Sequence, residues 1–181
     1  MISWRTVSRK VILDRQPHLV VEERSVALPD GSVIDDWTWI DTPDFVVVVA
    51  LDEQGKFVVL EQTKYAIKGP VILPVGGYFN PGEEPLEAAQ REFLEETGYE
   101  APDWVFLGDF VTDSNRGNGR GYYFLARSAH KVAEIASDDL EEQHIRLVDR
   151  DQIEYLVAQG HVRALSGQAA FAMALLRLYY L

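Results

Sequence analysis

Between residues 45 and 65 the chain reads FVVVVALD, then Glu53-Gln54-Gly55, then KFVVLEQTKY. Two short apolar blocks on either side of a glycine-containing break predict a β-hairpin. FVVVVAL, the longest apolar run, has no polar alternation, which is the pattern of a strand buried on both faces. Upstream, TVSRKVIL and LVVEERSVAL alternate only partially, PDGS at 29–32 is a turn signal, and VIDDWTWI resumes the strand pattern. Thr42-Pro43-Asp44 then punctuates the chain, so residues 1–42 are read as a small N-terminal β segment and 43–181 as the main domain. Further on, ILPV at 72–75, WVFLGDFV and GYYFLARS predict strands, with DSNRGNGRG at 113–121 as a glycine-rich connection. Helices are expected over 84–97, 149–159 and 167–180. The last, QAAFAMALLRLYYL, is apolar on nearly every face, as core helices are. The fold class expected is α/β with a mixed sheet, preceded by a small antiparallel sheet.

Helix 84–97 has both ends marked, Pro85 in its first turn and Gly98 just past its end. Leu86, Ala89, Phe93 and Thr97 recur at helical spacing and predict its core stripe. Six glutamates, at 83, 84, 87, 92, 95 and 96, crowd into fourteen residues around it. Glu92, Glu95 and Glu96 are three and four positions apart and therefore lie on one side of the helix. Like charges at that spacing repel by about 0.2–0.5 kcal/mol per pair, and only Arg91 lies among them. The spacing leaves two readings open, a solvated acidic face or oxygen ligands for hard divalent cations such as magnesium or manganese.

The formal net charge of −12 repels phosphate backbones and excludes a nucleic-acid polymer as the natural partner. The chain contains no cysteine, which removes disulfides, zinc–thiolate sites and thiol nucleophiles. No apolar run approaches the length of a membrane span or a signal peptide, so a soluble, cytoplasmic protein with no membrane partner is expected. The histidines, at 18, 130, 144 and 161, have no ligand spacing. Trp37 and Trp39 share a strand face, which suits packing, an interface or stacking on a base. Arg116 and Arg120 in the glycine-rich connection are candidate phosphate or ribose contacts. In ASDDLEEQHIR, at 136–146, Glu141 and Glu142 are acidic residues on a loop.

Gly77, five residues, Glu83, seven residues, then Arg91-Glu92-Phe93-Leu94-Glu95-Glu96-Thr97-Gly98-Tyr99 resembles the complete signature of the Nudix hydrolases. All seven fixed identities stand at the family spacing over 23 residues; Tyr99 is unusual only in not being aliphatic. The resemblance implies an α/β/α sandwich around a mixed sheet and hydrolysis of a nucleoside diphosphate linked to another moiety, with Mg2+ or Mn2+ as cofactor. It implies Glu92, Glu95, Glu96 and the carbonyl of Gly76 as metal ligands, with Glu92 and Glu95 counted among the catalytic residues. Arg91 and Glu83 would form a structural ion pair, and Glu142 or Glu141 would act as general base. The N-terminal β segment and the PVGG approach resemble the ADP-ribose pyrophosphatase branch, which implies ADP-ribose or a related nucleotide sugar as substrate and a homodimer built through residues 1–42. Lys64 stands where that branch often has a substrate-binding arginine, Ile72 where it commonly has glutamate, and Asn115 where it usually has proline. A second function class, a nucleotide-sensing module without catalysis, is carried beside the enzyme; it has no need of the three glutamates.

Overall fold

The computed structural model describes residues 3–135 and 143–180. The chain divides into two compact units, one formed by the chain up to Asp44 with Phe110–Arg120, the other by Phe45–Asp109 with the chain from Gly121 onward.

In the first unit, strands β1 (Arg5–Arg15), β2 (Leu19–Ala27) and β3 (Val33–Asp41) form an antiparallel meander. The β2–β3 turn is held by Asp30, whose carboxylate accepts from the backbone N–H and the hydroxyl of Ser32. Gly31 supplies the positive φ of +87° that this turn requires. Trp37 meets Trp4 edge-on at 5.3 Å, and its indole N–H donates to the carbonyl of Asn115. Trp39 lies under the Arg24 guanidinium at 4.0 Å. With Thr6, Val26 and Ser114, these rings line a cavity of about 420 Å³.

The second unit is built on β4 (Phe45–Asp52) and β5 (Phe57–Gln62), the expected hairpin. Its turn is fixed by the Asp52 carboxylate, which accepts from the N–H groups of Gln54 and Lys56. The two strands pair only next to the turn, at Ala50–Val58 and Leu51–Phe57. Beyond that they part. β5 takes β6 (Val71–Leu73) and β4 takes β7 (Val75–Tyr78) as antiparallel partners. Pro74, with no N–H to give a ladder, separates β6 from β7, so the single strand expected at 72–75 is two.

After helix α1 (Pro85–Thr97) come the short β8 (Tyr99–Glu100), β9 (Asp103–Asp113) and β10 (Gly117–Lys131). β10 runs parallel to β4 from Gly121 to Ala129, β9 pairs with β10, and β11 (Gln143–Val148) closes antiparallel on β5. Both strands flanking the glycine-rich connection reach further into it than their apolar patterns indicate. Helices α2 (Arg150–Ala158) and α3 (Leu165–Tyr179) follow.

The strand alternation sorts the core into two layers. Val47, Val49, Phe57, Val59 and Leu125 face Ile153 of α2 and Phe171 of α3, whereas Val46, Val48, Val58, Leu60 and Phe124 face Ala89 and Phe93 of α1. This is the α/β/α arrangement around a mixed sheet. On α3 only Gly167, Ala170, Phe171 and Ala174 are buried, and Leu165, Leu176 and Tyr179 are exposed. No helix among the described residues is long and apolar enough to cross a membrane.

Candidate active site

Helix α1 starts at Pro85, with the Glu84 N–H donating to the Glu87 carboxylate. It ends at Gly98, whose φ of +73° is left-handed and whose N–H returns to the carbonyl of Leu94. A Cβ on Gly98 would stand 2.1 Å from the Ala133 carbonyl oxygen, so glycine is required for space as well as for conformation. The buried face comprises Ala88, Ala89, Phe93, Glu96 and Thr97. Leu86, expected in that stripe, is exposed at the first turn, and Ala88 takes up core contact instead.

The three glutamates point in two directions. Glu92 and Glu95 meet Arg91, whose Nη1 donates to both at 2.7 and 2.9 Å. The same guanidinium grips Glu83 through Nε and Nη2 at 2.8 and 2.9 Å, and Nη2 also donates to the Tyr78 carbonyl. The Glu83 carboxylate in turn accepts from the Asn80 N–H. One arginine thus ties the loop after β7 to the helix. Its hydrogen bonds hold Glu83 below the usual carboxylate range against the opposing effect of burial, and Glu83 first, with Glu92 and Glu95, keeps Arg91 more firmly protonated than usual.

Glu96 turns the other way. It is 7% exposed and lines a cavity of about 360 Å³ together with Gln62, Lys64, Gly76, Gly77 and Ser166. The cavity's lining comes from β4, the end of β5, β6 and β7, and the start of α3. Gly167 fixes the start of α3 against the sheet, since a Cβ there would come within 2.9 Å of Leu73 and 3.1 Å of Pro74. Gly77 of β7 is closer still to its neighbour: a Cβ there would fall 2.0–2.3 Å from the Glu92 carboxylate. Only a bare backbone can rest on that carboxylate.

Among the described residues no three acidic or histidine side chains are gathered into a ready ligand set; Arg91 lies between Glu92 and Glu95. The donor chemistry nonetheless suits a hard divalent cation: three carboxylates on adjoining turns of α1, and β7 backbone at Gly76 and Gly77 with the Glu92 carboxylate lying directly against Gly77. Of the other expected site residues, Lys64 lines the cavity with Glu96. Arg116 and Arg120 belong to the first unit, where the Arg116 guanidinium stands 5.6 Å from the Trp37 ring and the Arg120 N–H donates to Asp44. Glu141 and Glu142 lie outside the described residues. Sequence reading passed over Gln62 and Ser166. A polar residue in register with Val58 and Leu60, on the face of the strand that is otherwise apolar, is the available signal for Gln62.

Residues 40–166 match the family model of the NUDIX domain. The chain is 26% identical over 153 residues to a methanol dehydrogenase activator of Bacillus methanolicus, a match spanning 84% of this chain and 82% of that one. It is 29% identical over 124 residues to an ADP-ribose pyrophosphatase of Bacillus subtilis (strain 168), spanning 68% and 65%. Among solved structures, the crystal structure of an ADP compounds hydrolase superposes with a TM-score of 0.77 over 99% of this chain and 96% of that one, at 15% identity. That last likeness is one of fold.

Proposed function

Because the chain belongs to the NUDIX family, whose domain model spans residues 40–166, and is a Nudix pyrophosphohydrolase, we propose that it cleaves the diphosphate of ADP-ribose or a related nucleotide sugar in a metal-dependent reaction. The observation that carries the reading is the meeting of Glu96, Gly76, Gly77 and Lys64 in one cavity beside Glu92. Glu92, Glu95 and Glu96, with the Gly76 carbonyl, are the residues that would hold Mg2+ or Mn2+. When bound, such ions offset the charge on the diphosphate oxygens and acidify water. The chain's own part is positional. Arg91 and Glu83 lock the end of β7 and the loop that follows it against α1, so that the Gly76–Gly77 backbone and the carboxylates keep one geometry as substrate enters. Lys64 offers an ammonium to a phosphate oxygen. Arg116 and Arg120, on the first unit, are proposed as further phosphate or ribose contacts.

Incubated with magnesium and a panel of nucleoside diphosphate derivatives, the protein should release a nucleoside monophosphate, fastest from ADP-ribose or a nucleotide sugar. Turnover confined to nucleoside triphosphates would sink the substrate class. Chelation with EDTA should stop the reaction, and added magnesium should restore it.

Residues 1–42 are proposed to build a homodimer. Every residue of β1 is exposed, Val7, Val11 and Ile12 among them, and its only strand partner among the described residues is β2. A long exposed edge with apolar side chains calls for cover. Light scattering should give twice the chain mass of 20.5 kDa, and Val7→Glu with Val11→Glu should bring it down to a single chain. An intact protein already monomeric at micromolar concentration rules the dimer out.

A further inference from the structure

On the side of the sheet that faces α1, Val58 and Leu60 of β5 and Ile145 of β11 are apolar and belong to the core beneath that helix. One pair further along both strands, that layer ends in two amides. Gln62 stands directly opposite Gln143, as Leu60 stands opposite Ile145. The period of two puts both glutamine side chains on the same face as Leu60 and Ile145. Gln62 is 5% exposed and lines the cavity that contains Glu96. Its Oε1 is shut off from solvent and receives no hydrogen bond from the protein, and the same holds for both Oε1 and Nε2 of Gln143. A folded chain rarely leaves a buried amide atom in that state. Three such atoms sit on one cross-strand pair, of which Gln62 lines the reaction cavity, and they call for a partner that arrives with the substrate.

The three atoms define the chemistry of that partner. Two are acceptors and one is a donor, so the incoming group must donate at least twice and also accept. Phosphate oxygens only accept and would face two amide oxygens. A cation could use the oxygens but not the N–H. A vicinal diol, with two O–H donors and free lone pairs, satisfies all three. We infer that Gln62 and Gln143 form a paired-amide site that reads a vicinal diol on a sugar of the substrate. This rests on the proposed nucleotide-sugar class. The diol belongs either to the nucleoside ribose or to the terminal sugar, and the same pair of amides would serve either.

The test compares the wild type with Gln62→Leu, Gln62→Met and Gln143→Leu on three compounds: ADP-ribose, its 2′-deoxyadenosine analogue, and an analogue whose terminal ribose lacks its 2-hydroxyl. The wild type should lose about tenfold or more in kcat/KM on one analogue, chiefly through KM, because a site built to bind a hydroxyl strongly rejects its absence. Which analogue suffers identifies the sugar. The variants should lose a similar factor on ADP-ribose and then no longer distinguish it from that analogue. A wild type indifferent to both analogues overturns the inference. So do variants with lower kcat but the same discrimination, since the amides would then serve the reacting water or the fold. Unfolding curves show which variants are folded, and Gln143→Leu on the less buried strand keeps the comparison open if the Gln62 variants are not. Should the wild type hydrolyse none of the three compounds, the substrate class fails by itself. Calorimetric affinities for the same compounds still read the hydroxyl, and equal affinities then overturn this inference separately.

Discussion

Glu96→Gln should lower turnover at least about a hundredfold while leaving the fold intact. Glu96 is the one acidic side chain of α1 that is both buried and turned into the cavity with Gly76 and Gly77. Glutamine keeps the shape and removes the charge that a divalent cation needs. Loss of a residue that merely supports a metal ligand commonly costs about 10–100-fold, so loss of a ligand itself should exceed that range. The rate of the variant should rise with magnesium well beyond the concentration that saturates the wild type. Stability should move the other way. Removing the charge ends the repulsion with Glu92, four residues back, a gain of about 0.2–0.5 kcal/mol, and it spares a 7% exposed side chain the cost of carrying charge away from water. Metal-free protein should therefore unfold at the same temperature or slightly higher. A variant as fast as the wild type at low magnesium contradicts the assignment, and one that unfolds early shows that Glu96 holds the fold instead.

The parts of the molecule legible in its sequence are those whose physical cause is local. Helix α1 was legible at both ends because Pro85 and Gly98 act within a few residues, and its carboxylate spacing needs nothing but the helical repeat. β4 and β5 were legible because a run such as FVVVVAL has few other places to go. The errors come where long-range pairing decides. ILPV reads as one strand until β4 and β5 part and each claims half of it, leaving Pro74 at the break. Leu86 has the right spacing for the core but is exposed, and Ala88, in the same turn, is the side chain the sheet covers. Arg91 was expected to pair with Glu83; that it also spans Glu92 and Glu95 follows from the loop bringing Glu83 and Tyr78 to the same guanidinium. The partner of Gln62 is hidden for the same reason: Gln143 reaches it only through the β5–β11 register. Nothing within a ten-residue window could reveal that pair.

Arg91→Met should cost about 2–4 kcal/mol of stability, somewhat less than removing one partner of a fully buried charge pair, because this network is only part-buried. Five hydrogen bonds leave this guanidinium, two to Glu83 and one each to Glu92, Glu95 and the Tyr78 carbonyl. Methionine keeps much of the stem and none of the charge, so three carboxylates are left facing one another with no cation between them. The acid limb of the stability curve gives a second reading. Arg91 lowers the Glu83 pKa in the folded state relative to its ordinary value of 4.5. A depressed carboxylate pKa contributes stability that is fully present above the unfolded value and is lost as pH falls through the folded one. Wild-type urea midpoints should therefore decline below about pH 4.5, and the variant, having little of this contribution to lose, should show a shallower decline. Magnesium separates this arginine's structural task from any catalytic one. If Arg91 stands in for a cation between Glu92 and Glu95, magnesium should raise the melting temperature of Arg91→Met more than that of the wild type, because ions that bind only the folded state stabilise it. Equal shifts in both proteins would mean that Arg91 does not take the place of a metal, and an unchanged melting temperature without magnesium would remove it from the structural role altogether.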